Sequence, residues 1–247
     1  MDKGYYKYYF DLERNHWWFQ ARNKIIFGQI NDIFLAEKRP LKILNVGVAT
    51  GATSELLSNF GQVTSVEYDQ DCIDFVSTKI NLPIVQGDIC ALAFPDDSFD
   101  LVCALDVVEH VENDQLAAEE LTRVCKQGGS IVITVPSFKS LWGEHDVINH
   151  HFKRYKSSEL LDLFKNNTML KYNTYFNFWL FLPIWIVRNL PFKVNRKVSG
   201  SDFDLFKSPW MNQLCYYILA SEKTFTSRKI QLPFGVSALG VWTKKYH

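Results

Sequence analysis

The sequence predicts an α/β protein whose mainly parallel sheet carries helices on both faces. Two observations support this fold class. Strand and helix signals alternate strictly between about residues 41 and 135, which is typical of a parallel sheet. The stretch from Leu41 to Gly51 has the pattern of a buried strand that enters a turn of small residues, and a helix is predicted to follow at Thr53.

Length and composition exclude several classes of protein. The 247 residues can form one large domain or a domain with a cap, and Lys+Arg and Asp+Glu number 27 each, so no nucleic-acid partner is expected. The five cysteines are scattered without a Cys-x-x-Cys pair, which favours a reduced, cytoplasmic protein. The uncharged run from Tyr172 to Val187 is shorter than the roughly 20 residues of a membrane span and contains Pro183. No transmembrane segment is therefore expected.

The elements of the core are predicted from apolar periodicity and from capping residues. One or two helices are expected between Asp11 and about Leu35, where tryptophans and isoleucines recur at helical spacing. Asp69 is predicted to cap the helix after the second strand, and Gly128-Gly129 to end the helix before the fifth. After the first strand, strands are predicted at 63–67, 83–87, 99–104 and 130–135, and helices at about 69–80 and 114–126.

The alternation loosens after Pro136. A long loop is predicted to reach Lys156, where Ser157 or Ser158 caps a helix that ends at Phe164. Strands are predicted at 170–178 and 236–244. The sequence between them is irregular from residue 191 to 233, with some helical character around 210–220.

The turn after the first strand carries the first functional signal. Its small residues let a ligand approach the main chain, and N–H groups at a helix start favour negative charge. The dinucleotide pattern G-x-G-x-x-G is matched poorly, because its positions hold Gly47, Ala49 and Ala52. The pattern G-x-G-x-G, which is typical of enzymes that use S-adenosyl-L-methionine (SAM), is matched better by Gly47, Ala49 and Gly51.

Acidic residues stand at the ends of the next two strands. Glu67 lies where a carboxylate can accept both ribose hydroxyls of an adenosine ligand, with Tyr68 beside it; the alternative is an exposed carboxylate without a ligand. Asp88 is placed to accept the adenine amino group, and Ile89 to lie against the ring. The residues predicted to face the same crevice after the fourth strand are Leu105, Asp106 and His110.

Together these motifs resemble a class I SAM-dependent methyltransferase over residues 43–136. The resemblance is carried by the glycine turn, Glu67, Gly87-Asp88 and the segments 92–100, 105–110 and 125–129. The segments 16–22 and 145–155 resemble a bacterial subgroup that is broadly similar to quinone-biosynthesis methyltransferases. The resemblance implies SAM as cofactor and methyl transfer to an O, N or C atom of a small or amphiphilic metabolite. It also implies a Rossmann-like sheet of seven strands with an antiparallel last strand.

On this basis the chain divides into four segments. Residues 1–38 are expected to form an aromatic helical lid and residues 39–177 a SAM-binding, Rossmann-like core. Residues 178–233 are expected to be an insertion that caps the substrate side, and residues 234–247 the final strand of the core.

Two positions depart from the family pattern. The family usually has an acid where Asn45 stands and a glycine where Ala49 stands. Asn45 keeps a hydrogen-bond acceptor but loses the charge, and Ala49 adds a methyl group where cofactor and backbone approach closely. We expect a shifted cofactor geometry with binding retained. The alternative function is a non-catalytic binding protein or partner subunit with this fold.

The loop after the fifth strand is where such a fold binds its substrate. His145 or His150, oriented by Asp146, suits a general base for a hydroxyl, an ammonium or an acidic carbon. His151 and Tyr155 complete the predicted catalytic set; the alternative is that they only pin the loop to the sheet. The spacing of these residues matches no familiar metal site, so no metal is predicted.

Two aromatic segments have more than one interpretation. Residues 16–22 form either a packing helix or a lid, in which Trp18 and Arg22 close over the cofactor's carboxylate or the substrate. The run from Tyr175 to Trp185 is core, the wall of an apolar substrate pocket, or a contact with a membrane surface. Core or pocket is preferred.

Overall fold

The computed structural model describes residues 3–189 and 208–246, and it contains one seven-stranded sheet with helices on both faces. The strands are β1 (Leu41–Val46), β2 (Gly61–Glu67), β3 (Ile84–Gln86), β4 (Phe99–Leu105), β5 (Cys125–Pro136), β6 (Thr168–Phe176) and β7 (Ser237–Lys244). The helices are α1 (Lys3–Asn15), α2 (Trp17–Glu37), α3 (Ala52–Leu57), α4 (Gln70–Ser77), α5 (Asp114–Val124), α6 (Glu144–Ile148), α7 (Ser157–Leu163), α8 (Phe178–Asn189), α9 (Pro209–Ser221) and α10 (Lys223–Ser227).

The strand order places the functional edge. It is β3-β2-β1-β4-β5-β7-β6, in which β1 to β5 pair in parallel and β7 runs antiparallel to both neighbours. The fold class predicted from the sequence is therefore confirmed, including the antiparallel last strand. Successive strands are added on one side of β1 up to β3 and on the other side from β4, so the strand order reverses between β1 and β4. In such sheets the ligand crevice opens beyond the carboxyl ends of the strands at this switch point.

The sheet is buried on both faces because its strands alternate between two apolar clusters. One face packs residues such as Leu44, Val102 and Ile133 against α5 and α7. The other packs Ile43, Leu101 and Cys103 against the isoleucines of α2, namely Ile25, Ile26 and Ile30, each of which is fully buried. Helix α2 is thus part of the main core over most of its length.

Helix α1 lies over the start of the cofactor-type turn. The Tyr6 hydroxyl donates to Asp69 at 2.6 Å, and Arg14 donates to the Thr50 carbonyl at 3.1 Å. Arg14 also forms an ion pair with Glu55 at 2.5 Å. These contacts join α1 to the turn, to α3 and to the start of α4.

The segment between β6 and β7 has two structural roles. Helix α8 lies at the carboxyl edge, whereas α9 packs on α2 through the buried side chains of Cys215 and Leu219. Residues 209–227 therefore lie against one face of the sheet, away from the cap expected for residues 178–233. The four-segment division remains a prediction, and its residues 190–207 lie outside the described ranges.

Several boundaries differ from the sequence expectation for local reasons. Helix α5 ends at Val124 and β5 begins at Cys125, so Gly128 does not end the helix; it lies within β5 with φ +77°. Asp69 caps α4 as predicted, by accepting from Asp71 N–H at 3.0 Å. Residue Ser157 is the first residue of α7 and not its cap, because the cap position is held by Lys156, whose N–H donates to Glu159 at 2.6 Å.

Three further differences lie after β5. The predicted long loop contains the short helix α6, and β6 covers 168–176, not 170–178. The aromatic run from Tyr175 is therefore divided between the end of β6 and α8, with Pro183 inside that helix. In the described ranges, every helix lacks the combination of length and apolar character needed to cross a membrane.

Candidate active site at the carboxyl edge of the sheet

A cavity of about 380 Å³ opens at the carboxyl ends of β1, β4 and β5. Its walls come from the junction of α1 and α2, the glycine turn, the end of β4, the histidine loop between β5 and α7, helix α8 and the start of β7. The residues of these walls that the sequence had singled out are Trp18, Arg22, Gly47, Ala49, Leu105, Asp106, His110, His145 and His151. The cavity thus joins the predicted cofactor turn to the predicted acceptor loop.

The glycine turn has its shape because every second residue from 47 to 51 has a positive φ. These values are +74° at Gly47, +47° at Ala49 and +89° at Gly51. A Cβ at Gly47 would overlap the Val107 side chain, so glycine is required there for space as well as for φ. Ala49 adopts the left-handed conformation despite its methyl group, so the departure from the family pattern leaves the turn intact.

Glu67 supports the turn from the end of β2. Its carboxylate accepts from the N–H groups of Ala49 and Tyr68, each at 3.0 Å, and of Asp69 at 3.2 Å. Asp88, at the end of β3, is exposed and accepts from Cys90 N–H at 2.8 Å. The side chain of Tyr68 is exposed and that of Ile89 is buried. These four predicted cofactor residues lie outside the walls of the cavity, on the neighbouring strand ends.

Asn45 is turned away from the cavity. Its side-chain amide donates to the Ser54 hydroxyl at 2.9 Å, and Ser65 donates to the same hydroxyl at 2.9 Å. All three residues are buried. The position that usually carries an acid therefore belongs to a neutral network that fastens β1 and β2 to α3, and Asn45 is not a wall of the cavity.

An ion pair lies in the cavity wall, with its arginine buried and its carboxylate partly exposed. Arg22, which is 4% exposed, donates to the Asp106 carboxylate at 2.6 and 2.9 Å. Thr134 of β5 donates to the same carboxylate at 3.0 Å. Asp106 follows β4 with φ +60°, which turns its side chain toward α2. The predicted cofactor residue Arg22 is thus held by another predicted cofactor residue.

Glu13 is a cavity residue that the sequence reasoning missed. It lies on α1, and its buried carboxylate accepts from the Thr50 hydroxyl. Burial raises the pKa of Glu13, although this hydrogen bond opposes the change. A carboxylate in a helix before the first strand carries no motif, so its approach to the turn is visible only in three dimensions.

The histidine loop is organised around Asp146. This carboxylate, which is fully buried, accepts from Arg154 at 2.7 Å and from Gly143 N–H at 2.8 Å, and it pairs with His151 Nδ1 at 2.8 Å. Burial raises the pKa of Asp146, but the His151 and Arg154 interactions outweigh burial and hold that pKa well below its usual range. Asp146 therefore orients His151, and His151 faces the cavity.

His110 and Glu109 meet this loop from the turn after β4. The ring of His110 packs edge-on against that of His151, with centroids 4.6 Å apart. His110 is exposed as a whole residue, but desolvation of its ring among the packed groups of the cavity wall, followed by the proximity of His151, lowers the pKa of His110 to about 4. Burial also raises the pKa of Glu109 well above its ordinary value, and Asp106 raises it further. Glu109 lies in the segment 105–110 that resembles the methyltransferase pattern, but no role was predicted for it.

The remaining predicted catalytic residues lie differently. His145 lines the cavity, with its ring centroid 6.0 Å from that of His151. His150 is exposed, with φ +56°, and lies outside the cavity walls. Tyr155 is fully buried, and its hydroxyl donates to Asp114 at 2.9 Å, so it fixes the loop to α5 in the way that the structural alternative expected.

The aromatic segments are divided among their possible roles. Trp17, the first residue of α2, belongs to the core cluster between α2 and the sheet and also lines the cavity beside Trp18. Four apolar residues of α8 form another wall; they are Leu180, Pro183, Ile184 and Val187. On the same helix Trp179, Leu182 and Trp185 are exposed.

Comparison with known proteins gives this geometry a family. Residues 44–133 match the family model of a methyltransferase domain. Residues 44–133 therefore form a methyltransferase domain. This methyltransferase domain contains the last three residues of β1, the glycine turn, Glu67, β4 and most of β5.

Two curated relatives have activities in their names. The chain is 31% identical over 99 residues to a phosphatidylethanolamine N-methyltransferase from Cereibacter sphaeroides, covering 37% of this chain and 49% of the relative. It is 29% identical over 119 residues to a demethylmenaquinone methyltransferase from Staphylococcus aureus, covering 42% and 49%. The chain spans about half the length of these relatives.

Solved structures show the same fold over more of the chain. A SAM-dependent methyltransferase from Thermotoga maritima, described as a possible histamine N-methyltransferase, aligns over 98% of both chains with a TM-score of 0.57 and 15% identity. At this identity the similarity concerns the fold. The methyltransferase domain and its flanking elements therefore follow one known architecture.

Proposed function

We propose that the whole chain transfers a methyl group from SAM to a small or amphiphilic acceptor that enters the cavity. The observation that carries the proposal is the single cavity shared by the glycine turn and the histidine loop. In-line displacement requires donor and acceptor to meet in one site, and most of the catalysis lies in that alignment. The methyltransferase domain supplies the donor side.

The residues on the donor side fit SAM. The left-handed turn from Gly47 to Gly51 brings main chain to the surface of the cavity, and we assign to Glu67 and Asp88, which follow on the neighbouring strands β2 and β3, the role of holding the adenosine. The Arg22–Asp106 pair offers one cation and one anion, which match the carboxylate and the ammonium of an amino acid. SAM supplies an electrophilic methyl group on a sulfonium. The role of these protein groups is to bind and orient.

The acceptor side favours an amphiphilic molecule. The apolar wall of α8 and Trp17 faces the polar floor of His145 and His151 across the cavity. Pockets of this kind take molecules with an apolar body and one reacting polar group. A phospholipid and a quinone precursor appear in the names of two relatives, and both belong to this class. Closure by these walls also excludes water from the donor.

On the acceptor side, His151 positions or deprotonates the reacting group. Its Nδ1 is bound to Asp146 at 2.8 Å, so its other nitrogen, Nε2, is available to a ligand in the cavity. A histidine fixed in this way can accept a proton from a hydroxyl or an ammonium. Asp146 acts through His151 and is a positioning residue.

The setting that we propose is the cytoplasm. All five cysteines are free thiols, and four of them are buried, which supports a reducing compartment. The equal numbers of basic and acidic residues support a small-molecule acceptor and no nucleic-acid partner. The exposed aromatic residues of α8 support, at most, contact with a membrane surface while an amphiphilic acceptor is collected.

Calorimetric titration with SAM and with S-adenosylhomocysteine tests the donor side. We expect both to bind with 1:1 stoichiometry, and Asp106→Asn and Asp88→Asn to weaken both. Glu112→Gln is the control, because Glu112 is exposed and outside the cavity. If neither nucleoside binds at high micromolar concentration, the proposal is wrong.

Cell extract treated with methyl-labelled SAM tests the acceptor side. The labelled product should partition into organic solvent when the acceptor is amphiphilic, and mass spectrometry then identifies it. His151→Ala should abolish labelling while SAM binding persists. Labelling that is unchanged in His151→Ala would remove the acceptor role from this residue.

The non-catalytic alternative rested on Asn45 and Ala49, and the comparisons do not favour it. Asn45→Asp and Ala49→Gly, combined, restore the usual family residues. If the native chain turns over acceptor as fast as this restored variant, these departures are neutral. Turnover in the restored variant alone would revive the alternative for the native chain.

A further inference from the structure

Three potential ligand groups converge at the acceptor end of the cavity. One donor atom from each of Glu109, His110 and His151 lies within 4.8 Å of those of the other two. Two atoms bound to one ion at about 2.1 Å can be separated by up to about 4.2 Å, so a small side-chain adjustment brings all three into one coordination sphere. Glu109 and His110 are neighbours in sequence, but His151 is distant from both, so spacing in the sequence does not reveal the group.

Both histidines are held in the way that metal ligands usually are. His151 Nδ1 is bound to the buried Asp146 carboxylate, and the backbone carbonyl of Asn149 lies close enough to His110 to raise the pKa of its ring against the larger effect of desolvation. Histidines that bind metal nearly always donate their second ring N–H to a carboxylate or a carbonyl, which fixes the orientation of the ring. In each case one nitrogen remains to face the other two groups.

Glu109 provides the independent sign of a missing partner. Glu109 is 1% exposed, and its buried Oε2 atom has no hydrogen-bond partner among the described residues. The neighbouring carboxylates are both neutralised: Asp106 by Arg22 at 2.6 Å, and Asp146 by Arg154 at 2.7 Å. An unpaired buried carboxylate oxygen is costly unless a cation or a donor satisfies it.

The backbone makes the group rigid. Glu109 and His110 belong to a short 3₁₀ turn, Val108–His110, at the end of β4. The N–H of Phe152, next to His151, donates to the Glu109 carbonyl at 2.7 Å, so the turn and the histidine loop are fastened at this point. The three ligands are therefore presented from two segments that are joined to each other.

We propose that Glu109, His110 and His151 bind a divalent transition-metal ion, with open coordination positions facing the cavity. Two imidazole nitrogens and one carboxylate oxygen suit Zn²⁺ and the other divalent ions of the first transition row, and they match Mg²⁺ and Ca²⁺ poorly. The role of the ion rests on the proposed function: it holds an oxygen of the acceptor and lowers its pKa. His151 Nε2 would then be a ligand and not a base, and the ion would acidify the acceptor hydroxyl, whose proton would leave to water.

The test uses the full chain stripped of metal by a chelator, without SAM or acceptor. Calorimetric titration with ZnCl₂ should give one tight site per chain, and titration with CoCl₂ should give visible d–d absorption of a nitrogen- and oxygen-ligated ion. Glu109→Gln should weaken Zn²⁺ binding at least about 100-fold and abolish the Co²⁺ spectrum, because a neutral amide is a poor ligand. Glutamine has the shape of a protonated glutamate, so this variant should fold.

Two variants act as matched controls for charge and for an additional histidine. Glu112→Gln removes an exposed carboxylate three residues away, and His150→Asn removes the exposed histidine next to His151. Both should bind Zn²⁺ as the native chain does. His110→Gln should lose binding, with circular dichroism used to verify its fold.

The inference is overturned if the native chain shows no stoichiometric site, or if Glu109→Gln binds Zn²⁺ with the native affinity. It is equally overturned if the controls lose the ion to the same extent as Glu109→Gln. Because neither SAM nor acceptor is present, each of these outcomes is independent of the SAM titrations that test the proposed function.

Discussion

Glu222 makes folding stability depend on pH in a range where most carboxylates have no effect. It stands between α9 and α10, is 0% exposed, and accepts from the N–H of Trp179 at the start of α8 at 3.3 Å. Burial raises the pKa of Glu222 from 4.5 to about 7, although backbone N–H groups at residues 177–179 oppose the change. The folded protein therefore keeps this carboxyl protonated where the unfolded chain has already released the proton.

The sign and size of the effect follow from this difference. Between pH 4.5 and pH 7 the unfolded state binds fewer protons than the folded state, so the free energy of unfolding falls as pH rises. The contribution is fully present below pH 4.5 and is lost as pH passes 7. At 1.36 kcal/mol for each pKa unit, the loss amounts to about 3 kcal/mol. Glu222→Gln keeps an oxygen for the backbone N–H groups and has no proton to lose.

Urea unfolding followed by tryptophan fluorescence measures this effect between pH 4.5 and 8.5. The Glu222→Gln variant should match the native chain at pH 4.5 and exceed its stability by up to about 3 kcal/mol at pH 8.5. Glu112→Gln, at an exposed position, should show no such divergence. A constant difference between Glu222→Gln and the native chain at all pH values would refute the reasoning.

Three further predictions concern packing, charge and the turn. Leu219→Ala should cost about 2–5 kcal/mol in urea unfolding, since Leu219 is fully buried under α2, whereas Tyr217→Ala on the exposed side of α9 should cost under about 0.5 kcal/mol. Asp100→Asn should destabilise the protein at neutral pH, and the difference should shrink progressively as pH falls below the ordinary carboxyl pKa, because a hydrogen bond from Arg39 and then Lys126 hold the pKa of Asp100 well below that value; a difference of the same size at neutral pH and in strong acid would contradict this. Gly47→Ala should lower the thermal midpoint and the SAM affinity together, because φ of +74° costs alanine about 1–2 kcal/mol; unchanged values for both would contradict the turn geometry.

The sheet could be predicted because its signals are local. Strand β4 is apolar without interruption from Leu101 to Leu105, and the Asp69 cap is a short-range contact, so both are visible in a few consecutive residues. The glycine turn is local for the same reason. The misplaced helix end at Gly128 shows the limit, because pairing of Cys125 with Phe99 extends β5 over residues that alone would favour a turn.

The candidate site could be predicted only in part because its contacts cross large distances in sequence. Arg22 and Asp106 were both identified, but not that they bind each other across 84 residues. Tyr155 was placed among the catalytic residues, yet its hydroxyl is used by Asp114, 41 residues earlier. The approach of Glu109 to His151 depends on the conformation of the whole histidine loop, which no local sequence pattern predicts.

The segment that builds the acceptor wall leaves and re-enters the sheet at a single point. Phe176, the last residue of β6, pairs directly with Ser237, the first residue of β7. Because the end of β6 and the start of β7 are held side by side by the sheet, the pairing of these strands does not depend on the segment that connects them. The segment that carries α8 and α9 can thus be exchanged as one cassette to change the proposed acceptor selectivity, provided that the replacement supplies counterparts of Cys215 and Leu219 to cover α2. The proposed donor side would remain as it is.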